Sequence, residues 1–224
     1  MASLARLLRP DKFDTDPGTP AADLKYCHWK ETFENYLAIE NKDDQCLAHL
    51  SKVSLPAEQA KFIWQSIVSF HNGTANIPDN VLMVLHWVTT AVMPEDYANM
   101  TLASIDVIQN FGLNYDLNEA QLSAIADRVK QDFAGKLPED YTYYDLLALR
   151  QILCAFNRSE IEKIQPSAYR EAALIIGKLE RCNTEVMRGF AKLAVDKNVF
   201  GPPGAWSETT VKILGKVAEF CSKE

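Results

Sequence analysis

A proline-containing loop that leads through an aromatic residue into a helix recurs in the second half of this chain. Pro94-Glu-Asp-Tyr97 returns as Pro138-Glu-Asp-Tyr141, a step called the short spacing below. Pro203 and Trp206 then match Pro138 and Tyr141, and the step from Pro138 to Pro203 is called the long spacing. Apolar positions three apart follow each loop, which is typical of a helix. The repetition predicts an all-α fold, an irregular helical-repeat superhelix of armadillo or HEAT type.

We interpret each loop as a joint that ends one helix and begins the next. In the last loop Pro202 and Pro203 stop the preceding helix, and Gly201 permits the turn. Thr142 and Ser207 stand where a side-chain oxygen caps the following helix. The residues predicted to form joints are Pro94, Tyr97, Pro138, Tyr141, Gly201, Pro202, Pro203 and Trp206. A direct binding role for the last loop is the alternative interpretation.

Apolar periodicity predicts several individual helices. Residues 57–70 carry a clear apolar stripe, and residues 167–179 carry another. Residues 81–93 are apolar almost all round, which predicts a central buried helix too short to cross a bilayer. Asp145 follows Thr142 by three residues, as in a capping box. No segment shows convincing strand alternation.

The charge balance excludes some classes of partner. The net charge of the 224-residue chain is −7, which argues against nucleic-acid binding and against docking on an anionic membrane. There is no run of 18 apolar residues, so we expect no membrane span. The first residues lack the pattern of a secretory signal, and the last residues lack a lipid-anchor tail.

No arrangement of side chains points to catalysis. The histidines, including His86 within the apolar stretch, show no metal-ligand spacing, and no two cysteines form a CxxC pair. Glu95-Asp96 and Glu139-Asp140 could act as acid/base pairs, but a role at helix N-termini is the simpler interpretation. The sequence predicts a non-enzymatic protein with no catalytic residue, no cofactor and no metal.

Two features fit the secretory pathway. Asn72, Asn99 and Asn157 each begin an N-x-Ser/Thr sequon and are candidate glycosylation sites. Cys154 and Cys182 flank one helical hairpin, and a disulfide between them would add about 3–4 kcal/mol of stability. Two buried free thiols are the alternative.

The order of motifs over residues 95–224 resembles the mesothelin, stereocilin and otoancorin family. The resemblance rests on the positions Cys154, Ser159, Ile164, Ala172, Cys182, Phe200–Pro203, Trp206 and Leu214-Gly215. It implies an armadillo-like superhelix that lies outside the cell or on its surface. It also implies adhesion between cells and matrix through a protein or glycan partner, with glycosylation and lipid anchoring in many members.

A second stretch, about residues 4–40, resembles the Gag region of invertebrate retroelements through LLRPDKFDTDPGTP and HWKETFENYL. It implies a different function, that of a capsid-derived protein that assembles with itself. The chain has no zinc knuckle or basic tail that would support RNA packaging.

The sequence therefore predicts two regions. Residues 1–50 form a lead-in with an N-terminal helix, Gag-derived if the resemblance holds, and residues 51–224 form the helical-repeat domain. The favoured function is that of a non-enzymatic extracellular module for cell adhesion or cell–matrix attachment. Without a signal or an anchor tail, an intracellular location stays open.

Overall fold

A computed structural model of the chain describes Leu47 and residues 51–52, 54–133 and 135–221. Every regular element in these residues is an α-helix or a 3₁₀-helix, as the all-α prediction requires. The chain divides into two compact units, residues 1–100 and 101–224, and each is described by itself. The predicted boundary at residue 50 stays a prediction, because most residues before it lie outside the described part.

The first unit is built around one long helix. Its elements are α1 (Ala57–Phe70), η1 (Thr74–Asn76), α2 (Asp79–Leu82), η2 (His86–Ala91) and α3 (Pro94–Tyr97), where η denotes a 3₁₀-helix. The helix α1 packs against η2 and buries Ile63 and Ile67 completely. The indole nitrogen of Trp64 donates to Asp96 Oδ2 at 2.9 Å, which ties α1 to α3.

The second unit contains more of the same elements. They are α4 (Ile105–Phe111), α5 (Glu119–Asp132), η3 (Pro138–Asp140), α6 (Tyr143–Leu149), η4 (Arg150–Ala155), α7 (Arg158–Ile161), α8 (Pro166–Ile176), α9 (Thr184–Ala194), η5 (Pro203–Ala205), α10 (Glu208–Leu214) and η6 (Gly215–Phe220). Four of them pack side by side in the order α4, α6, α8, α10. Against these lie α5 on η4 and α9 on η6, so the unit is built in two layers.

One order of elements occurs three times in the described residues. A long helix is followed by a short 3₁₀-helix, a short α-helix and a second, longer 3₁₀-helix. The last of these begins at His86, Arg150 and Gly215. All three residues have a left-handed backbone, with φ of 40°, 39° and 50°. Arg150 and Gly215 are separated by the long spacing, and His86 precedes Arg150 by one residue less. The long spacing found in the sequence is therefore a repeat of local structure.

The short spacing does not repeat the local structure. Pro94–Tyr97 forms an α-helix, whereas Pro138–Asp140 forms a 3₁₀-helix. Tyr141 is followed at once by the helix cap Thr142, but a longer connection separates Tyr97 from α4. The joint predicted at Pro94 and Tyr97 therefore differs from the other two. The short helix α3 corresponds to α7 and not to η3. Both α3 and α7 follow the longer 3₁₀-helix of a repeat, η2 and η4 respectively.

The prediction of one continuous helix over residues 81–93 is wrong. The α-helix ends at Leu82, His86 adopts a left-handed conformation, and Val92 is extended. An α-helix cannot pass through a left-handed residue, and the valines and threonines here have low helix propensity. The helices predicted over 57–70 and 167–179 are present as α1 and α8.

Candidate functional site

Each longer 3₁₀-helix (η2, η4 and η6) is attached at its start to the end of an earlier segment. The backbone N–H of Gln151 donates to Gly112 O at 3.0 Å, and that of Lys216 donates to Gly177 O at 3.1 Å. In the first unit, Trp87 N–H donates to Ser51 O at 3.0 Å. The left-handed residue before each donor turns the N–H toward its acceptor, so these residues define three equivalent corners.

Close approach of two backbones is the main geometric feature of the corners. A Cβ on Gly177 would lie 2.6 Å from Leu214 O, and one on Gly112 would lie 2.8 Å from Leu149 O. Real side chains do not reach such distances, so both positions require glycine. In the first unit Ser51 takes this place, and its hydroxyl donates to Val84 O at 2.8 Å.

The corners are numbered in chain order, at η2, η4 and η6. The second corner, at η4, carries a disulfide between Cys154 and Cys182, whose Cα atoms are 4.5 Å apart. Beside it, the buried amide of Gln151 binds the backbone of Glu180 twice. Its Nε2 donates to Glu180 O, and its Oε1 accepts from Glu180 N–H at 3.3 Å. The loop that leaves α8 is therefore held on η4 by one covalent bond and two hydrogen bonds.

The aromatic residues of the two later joints are placed differently. Tyr141 is buried, with the rings of Phe133 and Phe156 at centroid distances of 6.2 and 6.3 Å. Burial, followed by the charges of Glu160 and Asp145, raises the pKa of Tyr141 to about 12. The ring therefore stays neutral and acts as part of the core.

Trp206 is half-buried and hydrogen-bonds to the backbone at the start of the last joint. Its indole N–H donates to Phe200 O at 3.1 Å and to Gly201 O at 2.9 Å. Gly201 is left-handed with φ of 70°. Pro202 and Pro203 are exposed on the outside of this turn. The segment has the geometry of a joint, while its prolines remain accessible to a partner.

The predicted helix caps are present. Thr142 Oγ1 accepts from Asp145 N–H at 3.4 Å, and Asp145 Oδ2 accepts from Thr142 N–H at 2.8 Å, which completes a capping box. Ser207 Oγ accepts from Thr210 N–H at 3.1 Å. Asp145 is also buried and binds Lys136 Nζ at 2.7 Å. Burial alone would raise the pKa of Asp145, but hydrogen bonds from Lys136 and Thr142 outweigh it and lower the pKa.

The three sequon asparagines are exposed. Asn72 is left-handed with φ of 55°, and the Asn99 amide donates to Glu95 O at 3.4 Å. Asn157 caps α7, with Oδ1 accepting from Glu160 N–H at 2.9 Å.

Within the described residues, no group of three or more His, Cys, Asp or Glu is arranged to hold a metal ion. Burial and the charge of Lys52 lower the pKa of His86, which is half-buried in η2. Asp96 and Asp140 accept backbone N–H groups at the starts of their own short helices, at 3.1 and 3.2 Å. Among the described residues, no helix combines the length and hydropathy needed to cross a bilayer.

The sequence interpretation missed the residues that shape the corners. Gly112 and Gly177 are separated by the long spacing, as are Arg150 and Gly215. That shared spacing is the one signal that could have identified them, because it equals the spacing of the joints. Gln151 gave no signal, since a glutamine in an apolar stretch has many possible partners.

In the described part of the chain these features define a class: an all-helical fold built from recurring helix–corner units, with a disulfide at one corner. No family model matches the chain, and no solved structure matches it. Otoancorin of Mus musculus is 29% identical over 136 residues, which are 61% of this chain and 12% of the relative. Otoancorin of Homo sapiens is 28% identical over 136 residues, 61% of the chain and 11% of the relative. The chain is related to otoancorin and spans a small part of its length.

Proposed function

We propose that this chain is a non-enzymatic extracellular module, a helical-repeat superhelix that attaches cells to matrix through a protein or glycan partner. The relation to otoancorin supports the class of function. The recurrence of one helix–corner unit supports the superhelix, because repeated helical units stack on their neighbours. Such stacks form extended binding surfaces. Among the described residues no cluster of His, Cys, Asp or Glu could hold a metal ion, so the structure offers no support for metal-dependent catalysis.

The observation that carries the extracellular location is the Cys154–Cys182 disulfide. Structural disulfides form in oxidising compartments and are rare in the cytosol. This bridge lies at the packed end of η4, with Cys154 buried, and Gln151 fixes the same loop by hydrogen bonds. A bond in this position stabilises the fold, so we expect it to persist after secretion.

The first part of the test is secretion. The chain is fused to a heterologous signal peptide, expressed in cultured epithelial cells and collected from the medium. We expect a folded monomer in which Cys154 and Cys182 resist alkylation until a reductant is added. Large particles at increasing concentration would instead support the Gag-like alternative. A chain retained in the cell with both thiols open to alkylation would contradict an extracellular role.

The second part is attachment. The labelled secreted chain is applied to cell-deposited matrix, to matrix treated with glycosidases and to matrix treated with protease. Saturable binding that one treatment abolishes would identify the partner as glycan or protein. The matched control is the Cys154→Ala/Cys182→Ala chain, which keeps the surface charge. No saturable binding to any matrix by the folded chain would contradict the attachment function.

The last joint needs its own control, since the exposed Pro202 and Pro203 remain candidates for direct contact. Replacing both by serine changes this surface and removes neither acceptor of the Trp206 indole N–H, which are Phe200 O and Gly201 O. Unchanged binding would favour the joint interpretation. Lost binding with an unchanged melting temperature would assign the loop to the binding surface.

A further inference from the structure

The three sequons are in different local environments. Asn157, Arg158 and Ser159 are all exposed, whereas Met100 in the centre of the Asn99 sequon is only 2% exposed. Asn72 lies in a left-handed turn with φ of 55°. Asn157 is therefore the sequon whose whole tripeptide lies on the surface in an ordinary extended backbone, with φ of −88°.

The two polar atoms of the Asn157 side chain have separate uses. Its Oδ1 accepts from Glu160 N–H at 2.9 Å and from Ser159 Oγ at 2.7 Å. The backbone N–H of Asn157 donates to Glu160 Oε2 at 2.8 Å, which completes the capping box of α7. Its Nδ2 has no hydrogen-bond partner among the described residues. The oxygen caps the helix and the nitrogen is free.

The surroundings of this cap are fixed independently of Nδ2. Glu160 forms an ion pair with Lys130 Nζ at 2.9 Å, which ties α7 to α5. The Arg158 guanidinium binds Glu162 at 2.6 Å and Glu185 at 3.3 Å, which ties α7 to α9. None of these contacts involves Asn157 Nδ2, so forming a bond at that nitrogen uses up none of them.

We propose that Asn157 is an N-glycosylation site, and that the glycosylated asparagine remains the N-cap of α7. The inference rests on the proposed extracellular function, because the donor is a lipid-linked oligosaccharide of the secretory pathway. The amide nitrogen forms a bond to the anomeric carbon of the first sugar. The bond from that carbon to the lipid diphosphate breaks, the lipid diphosphate leaves, and the amide loses one proton. The carbonyl oxygen that caps the helix takes no part.

The experiment uses the full chain secreted from cultured epithelial cells. Site-resolved mass spectrometry should find glycan on Asn157. Asn157→Asp keeps an acceptor oxygen for the cap but has no amide, and Ser159→Ala keeps the amide but destroys the sequon. Both should lack this glycan. Asn157→Ala lacks both the glycan and the cap.

Thermal unfolding separates the cap from the glycan. An amidase that removes N-glycans leaves aspartate at position 157, so the treated chain should match Asn157→Asp. We expect both to melt within about 1 °C of the glycosylated chain, and Asn157→Ala to melt about 2–4 °C lower, as the loss of one N-cap predicts for a chain of this size. If the glycosylated chain melted as low as Asn157→Ala, the retained cap would be refuted.

The failures of the two proposals are distinguishable. A secreted chain with the Cys154–Cys182 disulfide but with Asn157 bare would overturn this inference and leave the extracellular function standing. A chain retained in the cell with reduced cysteines and no glycan would overturn both. Unmodified protein from a bacterial periplasm provides the glycan-free reference for mass.

Discussion

The second and third corners of the repeat have the same backbone path but are stabilised by different side chains. The second corner, residues 138–155, has a buried tyrosine, a buried carboxylate and a disulfide. The third corner, residues 203–220, has a half-buried tryptophan, no disulfide and glycine at the left-handed position. Leu146 is fully buried, but its equivalent Val211 is 45% exposed. The backbone path is therefore the same in both corners, although equivalent side chains differ in burial.

What the two corners share is contact between backbones. In each, a helix that ends in glycine crosses the end of a short helix, and one N–H closes the corner on the glycine carbonyl. Such a contact depends on glycine and on one left-handed residue, and on little else. The side chains around it are free to change from unit to unit, which fits an irregular repeat.

The largest expected effect is the loss of this crossing. Gly112→Ala and Gly177→Ala each place a methyl group against helix-end carbonyls, at 2.8 Å from Leu149 O and 2.6 Å from Leu214 O. Backbone on both sides leaves no flexible group to move. We expect each variant to lose roughly 3–5 kcal/mol of unfolding free energy, measured by chemical denaturation.

The matched control is Gly204→Ala, because nothing lies within 4 Å of a Cβ at that position. We expect its unfolding free energy to change by less than about 1 kcal/mol. If Gly112→Ala were as stable as Gly204→Ala, the close backbone contact at Gly112 would not be what stabilises the corner.

The disulfide should give the next largest effect, and only at the second corner. Cys154→Ala/Cys182→Ala removes a cross-link between residues 28 positions apart, which we expect to cost about 3–4 kcal/mol. Cys221→Ala is the control directly after the third corner, and burial raises the pKa of the Cys221 thiol to about 11. Reductant should lower the melting temperature of the wild type and leave that of the double variant unchanged. Equal sensitivity of both would show that the bridge does not form.

Much of the local structure was predictable because it depends on neighbouring residues. Thr142 with Asp145, and Ser207 with Thr210, form caps within one turn of helix. A cap needs only a side-chain oxygen and an N–H three residues later, so the sequence contains the whole interaction. The long spacing was visible for a related reason, since proline and aromatic residues mark each joint.

The rest depends on groups far apart in the chain. Left-handed Arg150 was not predictable, because nothing in the residue itself favours that backbone. Its conformation is set by the hydrogen bond of Gln151 to Gly112, at the end of an earlier helix. The helix predicted over residues 81–93 failed for the same reason, since His86 is left-handed before the equivalent bond from Trp87 to Ser51. The Gag-like stretch lies outside the described residues.

A smaller effect should come from acid, again at the second corner. Hydrogen bonds from Lys136 and Thr142 lower the pKa of Asp145, against its burial. A carboxylate with a lowered folded-state pKa adds stability above its unfolded pKa, about 4, and this stability is lost as pH falls through the folded value. Asp145→Asn should therefore cost about 2 kcal/mol at neutral pH, and the difference from wild type should shrink below about pH 4.

Denaturation at pH 7 and at pH 3 measures this difference. The exposed Asp127 provides the control, because Asp127→Asn should change the unfolding free energy by less than about 0.5 kcal/mol at either pH. The third corner has Thr210 where the second has Asp145, so it contributes no such acid dependence. A gap between Asp145→Asn and wild type that stayed constant with pH would mean that folding does not lower the pKa of Asp145.

The smallest effect tests the left-handed position itself. Arg150 has φ of 39°, and its Nε donates to Leu147 O at 2.7 Å. Arg150→Ala loses this bond and keeps the strained backbone, so we expect a loss of about 1 kcal/mol. Arg150→Gly loses the bond but relieves the strain, as in the third corner, and should stay within about 0.5 kcal/mol of wild type. Denaturation should thus show that Arg150→Gly is more stable than Arg150→Ala, the reverse of the usual helix order. The opposite ranking would show that the left-handed positions of the two corners are not equivalent.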